Sequence, residues 1–186
     1  MVTALVTTVL EDLGVPYVIG GSMASAVYGM ARATMDVDVV VDLRVEQVQP
    51  LVDRLGADFY ADPLSIYDAV ARRSSCNLIH LPTLFKVDLF VIGTRAWDAQ
   101  QLARRQRRSL QSSGGPEADV ASAEDVILAK LDWYRLGNQT SDRQWRDILG
   151  IIAVQGDRLD QAYLSLWARS LGLDDLLARA LEEAQA

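Results

Sequence analysis

Two hydrophobic patterns divide the chain. Up to residue 121, short apolar runs alternate with helical segments; from Ser122 onward the apolar positions recur at helical spacing. The pattern predicts a helix over 1–13 that stops at Gly14, then an apolar strand over 17–19, entered through Pro16 and left at Gly20-Gly21. A small-residue helix follows over 23–30, with Ser22 as its N-cap. β-branched enrichment and acids two apart predict a strand over 36–43. A helix over 46–55 carries Pro50, which spoils its middle or marks a break. A weak strand is read at 59–60, a short helix at 65–72, and two strands at 76–81 and 85–92 joined by a turn at Pro82-Thr83. A helix over 95–104 precedes two segments, 106–111 and 118–121, which flank a hairpin loop at Ser112-Ser113-Gly114-Gly115-Pro116. Ser122 followed by Glu124-Asp125 is an N-cap with acids in the first turn, where the helix dipole favours them. That helix runs to Leu136, and three more cover 141–154, 160–170 and 173 to the end.

The expected architecture is α/β: a mixed-sheet core over 1–121 with a helical subdomain over 122–186, packed on the core because no flexible linker separates them. Composition narrows the class. Of 186 residues, 50% are hydrophobic and 23% charged, as in a soluble globular protein and unlike a disordered one. A net charge of −7 argues against a surface that coats nucleic acid broadly, though a local basic patch remains open. A single cysteine, Cys76, excludes an internal disulfide framework, and no zinc-type Cys/His spacing occurs. The first helix has no basic leader and carries Glu11 and Asp12, and no apolar run approaches the roughly 20 residues of a membrane span. A cytoplasmic protein without membrane attachment is expected.

Chemistry is concentrated in three short segments. Asp36 and Asp38 are two apart in a strand and share one face. Their neighbours Val37, Val39, Val40 and Val41 predict a strand buried largely on both faces, against the plainer reading of an exposed acidic face. Asp88 lies inside Lys86-Val87-Asp88-Leu89-Phe90, where it is either a third ligand or an acid paired with Lys86 or an arginine. Burying unpaired carboxylates is expensive, and a divalent cation with a preference for carboxylate oxygen is one compensation. Gly20-Gly21-Ser22, between a strand and a helix start, offers backbone N–H groups to phosphate. It is neither a Walker A loop nor a dinucleotide fingerprint. The cluster Arg104, Arg105, Arg107 and Arg108 reads as a solvated helix end and strand edge, or as a patch for RNA phosphates. His80 reads as a core or edge histidine, and Trp133, Trp145 and Trp167 as packing residues.

Taken together, Val18-Ile19-Gly20-Gly21-Ser22, Asp36-Val37-Asp38 and Val87-Asp88-Leu89 resemble the DNA polymerase beta-like nucleotidyltransferase superfamily. Arg32-Ala33-Thr34 ahead of the acid pair is similar to the Arg-x-Thr-x-Asp-x-Asp form of bacterial AbiEii-like nucleotidyltransferases, whose best-known members are toxins of type IV toxin–antitoxin systems. Glu124-Asp125, Lys130, Arg135, Arg143 and Asp147 resemble the C-terminal motif of that group, and the likeness spans about residues 15–155. The resemblance implies that Asp36 and Asp38 hold two Mg²⁺ ions, or Mn²⁺. It implies that Asp88 completes the catalytic metal site and helps deprotonate an acceptor hydroxyl. By the same resemblance Gly20, Gly21, Ser22, Arg32, Thr34 and Lys130 form the nucleotide site. The implied reaction moves a nucleoside monophosphate from NTP to a hydroxyl of tRNA, a protein or a small molecule and releases pyrophosphate. A cognate antitoxin protein is an implied partner. The alternative is a non-catalytic nucleotide-binding or protein-interaction module on the same fold.

Overall fold

A computed structural model describes residues 2–29, 34–110 and 114–184. Its elements run α1 (Val2–Asp12), β1 (Tyr17–Ile19), α2 (Gly21–Tyr28), β2 (Asp36–Val41), α3 (Val45–Leu55), β3 (Phe59–Tyr60), α4 (Pro63–Arg72), β4 (Ser75–His80) and β5 (Phe85–Val91). They continue with α5 (Ala96–Ala103), β6 (Gln106–Ser109), β7 (Glu117–Val120), α6 (Ala123–Leu136), α7 (Asp142–Gln155), α8 (Gln161–Leu171) and α9 (Asp174–Glu183). The strands form one mixed seven-stranded sheet in the order β3-β4-β5-β2-β1-β7-β6. β2 runs parallel to β5, and β1 parallel to β7; the other neighbours are antiparallel.

The chain groups into two compact units. One comprises Met1–Met23 and Ala33–Ala121; the other comprises Ala24–Arg32 and Ser122–Ala186. In the first, period-two alternation puts Val37, Val39 and Val41 of β2 and Val87, Leu89 and Val91 of β5 into the core. Val6 and Leu10 of α1, Val48 and Leu51 of α3, and Ile66 and Ala69 of α4 are buried with them. Only this one face of β2 is fully buried; Asp36, Asp38 and Val40 are half-exposed, where burial on both faces was expected. The apolar run reflects β propensity at Val40 and not a second core.

Three helices depart from expectation. α3 passes through Pro50 without a break. The carbonyl deprived of its usual donor is that of Glu46, an exposed residue at the start of the helix, where water can serve it. α4 starts at Pro63, earlier than residue 65, because the Asp62 carboxylate accepts from the Leu64 and Ser65 backbone N–H groups and proline suits the first helical position. α2 starts at Gly21, so Ser22 sits inside its first turn and is not the N-cap.

In the helical unit, Ser122 caps α6 as expected, accepting from the Asp125 N–H at 3.2 Å. The two acids beside it do more than face a dipole. Asp125 is wholly buried, with its oxygens taken by the Ser122 hydroxyl at 2.8 Å and the Tyr163 hydroxyl at 2.7 Å. Glu124 accepts from the backbone N–H of Asp160, the N-cap of α8, at 3.0 Å. Together they fasten α8 to the start of α6.

Tyr17 ties the first unit together. Its buried hydroxyl donates to Glu11 of α1 at 2.6 Å and accepts the Asp119 N–H of β7 at 3.2 Å, while Arg107 of β6 donates to Glu11. Burial, reinforced by Glu11, pushes the phenol up to about 12. The phenol binds its proton more tightly when folded, so its contribution is complete below pH ~10 and is lost as pH rises toward 12. Tyr17→Phe should be less stable than wild type by about 1 kcal/mol at pH 8, from the lost hydrogen bonds. Unfolding in urea should show that gap close and then reverse as pH rises from ~10 to ~12, at up to about 1.4 kcal/mol per pH unit. A gap constant with pH would contradict the assignment.

Candidate active site

Parallel pairing of β2 and β5 sets Asp38 opposite Asp88 and Asp36 opposite Lys86. Neighbouring strands lie roughly 4.8 Å apart, so three acids and one lysine share a small area of the non-core face. The strand-to-helix turn is clamped to the same place: the Gly20 N–H donates to the Asp38 carbonyl at 2.9 Å. Gly21 has φ +54°, and a Cβ built on it would lie 1.6 Å from Asp38 Oδ2. The Asp38 carboxylate therefore occupies space that only glycine leaves vacant. Thr34 completes the edge by donating its hydroxyl to Asp36 Oδ1.

Lys86 Nζ lies 2.8 Å from Asp88 Oδ2. This is the ion pair that stood as the plainer reading of Asp88, and it is formed. The hydrogen bond to Asp88 holds the lysine pKa above its usual value, with the charges of Asp88, Asp36 and Asp38 adding to it. Cys76, next to β5 on β4, is pushed up to about 11 by burial, with Asp88 adding to the shift; it stays a thiol at neutral pH.

The residues present fit a divalent cation in donor chemistry. The face offers hard carboxylate oxygens, and an ammonium already stands against one of them. As the side chains stand, no three His, Cys, Asp or Glu groups among the described residues gather into a ligand set.

Compared with models of protein families and with curated proteins, the sequence has no significant match. Solved structures do match. One is a crystal structure of an antigenic nucleotidyltransferase-like protein from Paracoccidioides brasiliensis, with 19% identity and a TM-score of 0.56 over 97% of this chain and 90% of that one. Another is the solution structure of the antibiotic-resistance factor ANT(2'')-Ia, with 12% identity and a TM-score of 0.53 over 96% of this chain and 97% of that one. The chain has a nucleotidyltransferase-like fold.

Within this nucleotidyltransferase-like fold, the sequence-derived site residues separate into groups. Asp36, Asp38, Asp88, Gly20, Gly21 and Thr34 are brought to the β2–β5 face and the turn beside it. Ser22 follows in the first turn of α2. Arg32 lies outside the described residues. Lys130 belongs to the helical unit, where it is buried and bonds Asp147 Oδ2 at 2.9 Å and Gln144 Oε1 at 3.1 Å. Sequence reasoning treated Lys86 only as a partner for Asp88. Its place opposite Asp36 was out of reach, although its spacing of two from Asp88 already put both on one face.

Lys130→Met should destabilise the protein by about 2–4 kcal/mol, because the Asp147 carboxylate loses the ammonium beside it in a largely dry setting. Adding Asp147→Asn should return part of that loss. Urea unfolding measures both; a single variant as stable as wild type would show that the pair carries no structural load.

The arginine cluster is largely committed within the protein. Arg105 bonds Asp119 at 2.8 Å, Arg107 bonds Glu11, and Arg108 bonds Gln106 at 2.6 Å. His80 is buried, bonded to the Thr83 hydroxyl at 2.8 Å and packed against Phe59. No helix among the described residues is long and apolar enough to cross a membrane.

Proposed function

We propose that this chain is a metal-dependent nucleotidyltransferase that moves a nucleoside monophosphate from NTP to a hydroxyl acceptor. The observation that carries the reading is the register of β2 on β5, which sets Asp38 beside Asp88 with Asp36 on the same face and Gly21 against the Asp38 carboxylate. The overall likeness to nucleotidyltransferase-like structures supports it.

Asp36, Asp38 and Asp88 are the residues that would hold Mg²⁺ or Mn²⁺. When bound, such an ion neutralises the triphosphate and polarises the α-phosphorus. Gly20 ties the turn to β2 through its N–H, and Gly21 and Ser22 at the start of α2 would meet the phosphates, where the helix dipole favours anions. Thr34 fixes the Asp36 carboxylate by its hydrogen bond. Asp88 accepts the proton of the acceptor hydroxyl as its oxygen bonds to the α-phosphorus, and the bond from that phosphorus to pyrophosphate breaks.

The Arg32-x-Thr34-x-Asp36-x-Asp38 spacing supports an AbiEii-like subgroup, and with it a role beside a cognate antitoxin. A net charge of −7 and the internal pairing of Arg105 and Arg107 favour a small-molecule or protein acceptor over tRNA. One observation favours the non-catalytic module: the ammonium of Lys86 already compensates Asp88.

Each α-³²P NTP, with Mg²⁺ or Mn²⁺, should be incubated with cell extract and wild-type protein, beside the Asp36→Asn/Asp38→Asn variant. Label transferred by wild type alone supports the proposal, and its sensitivity to RNase or protease, or its low mass, names the acceptor class. Equal labelling by the variant, or pyrophosphate release by neither protein, overturns it.

A further inference from the structure

We propose that Lys86 is a built-in counter-cation of the acid cluster, competing with the divalent cation for Asp88. The inference rests on the reading of Asp36, Asp38 and Asp88 as metal ligands. Lys86 precedes Asp88 by two residues, so both side chains leave β5 on one face, and Asp36 is its partner across the strand pair. Its Nζ reaches Asp88 Oδ2 at 2.8 Å. The two partners differ in exposure: the Asp88 side chain is 14% exposed and that of Lys86 44%. The carboxylate is thus held in place while the lysine stem is free to swing outward without disturbing the core.

Three carboxylates on one small face repel, and the ammonium of Lys86 beside Asp88 offsets part of that repulsion. A divalent cation brought to the same oxygens meets a like charge at hydrogen-bonding distance, so it binds only as Lys86 departs. The affinity for bare metal is lowered by the fraction of molecules in which Lys86 stays on Asp88. A triphosphate arriving with the metal offers the displaced ammonium a new anionic partner. Metal and nucleotide should therefore each bind more tightly when the other is present.

The test is Mn²⁺ binding to the full chain without nucleotide, read from the electron paramagnetic resonance signal of free Mn²⁺. Lys86→Met should bind about five- to tenfold more tightly than wild type, and Lys86→Arg should stay close to wild type. Asp38→Asn should weaken binding in either background, which ties the signal to this site. Lys86→Gln is the second variant should Lys86→Met fail to fold. Equal or weaker binding by the neutral variants, with binding still sensitive to Asp38→Asn, overturns the counter-cation role and leaves the metal reading standing. Absence of Mn²⁺ binding sensitive to Asp38→Asn in every background overturns the metal reading and this inference with it.

Discussion

Gly21→Ala should lose at least about a hundredfold in nucleotidyl transfer while still folding. Two effects combine. The left-handed φ of +54° disfavours any side chain, by roughly 1–2 kcal/mol. The new methyl carbon would also lie 1.6 Å from Asp38 Oδ2 and 2.6 Å from its Cγ, so the carboxylate has to leave its position. Asp38 is half-exposed, and its side chain can rotate away from the clash. The stability cost is therefore limited to about 1–3 kcal/mol, which urea unfolding will measure. Activity has no such escape, because a displacement of about 1 Å in a positioned group costs on the order of a hundredfold. Retained transfer in a folded Gly21→Ala protein would mean that Asp38 does not need this position. Collapse of the fold would mean that the turn is structural before it is functional.

The contrast between Asp38 and Asp125 shows what local pattern can and cannot convey. The period of two in Asp36-Val37-Asp38 and Lys86-Val87-Asp88 is a property of each strand alone, so the acids' shared face was legible from the residues. That β2 pairs in parallel with β5, with Asp38 level with Asp88, depends on the crossover between two distant segments, and neither strand's pattern specifies it. The close approach of Gly21 to Asp38 is likewise tertiary: glycine signalled a turn, while the reason for glycine lies on another element. By spacing alone Asp125 is a first-turn acid after Ser122, and only the resemblance singles it out further. Its buried bond to the Tyr163 hydroxyl comes from two helices later. Pro50 misled in the other direction. Its cost is set by whether the freed carbonyl meets water, and the exposure of Glu46 at the start of α3 decides that. Local chemistry was thus readable at the turns and strands, and missing wherever a partner came from a distant element.

Asp38→Asn should abolish transfer, by about a thousandfold or more, and leave stability unchanged or slightly raised. The substitution preserves shape, retains an acceptor oxygen beside the Gly20-Gly21 turn, and removes one negative charge. Among the described residues of this face three carboxylates accompany the ammonium of Lys86, so removing one negative charge relieves repulsion in the metal-free protein. A residue kept for stability would behave in the opposite way, because weakening its bonds would lower the melting temperature. A residue kept for ligand binding can strain the fold that carries it, and its replacement then trades activity for stability. Two measurements separate these cases: melting with a chelator present, and melting with excess Mn²⁺. Wild type should gain stability on adding Mn²⁺, since a ligand that binds only the folded state shifts unfolding by mass action. Asp38→Asn should start level with wild type or above it and gain little. If Asp38→Asn instead melts well below wild type in chelator and gains as much from Mn²⁺, Asp38 is a structural acid, and the metal site has to be sought without it.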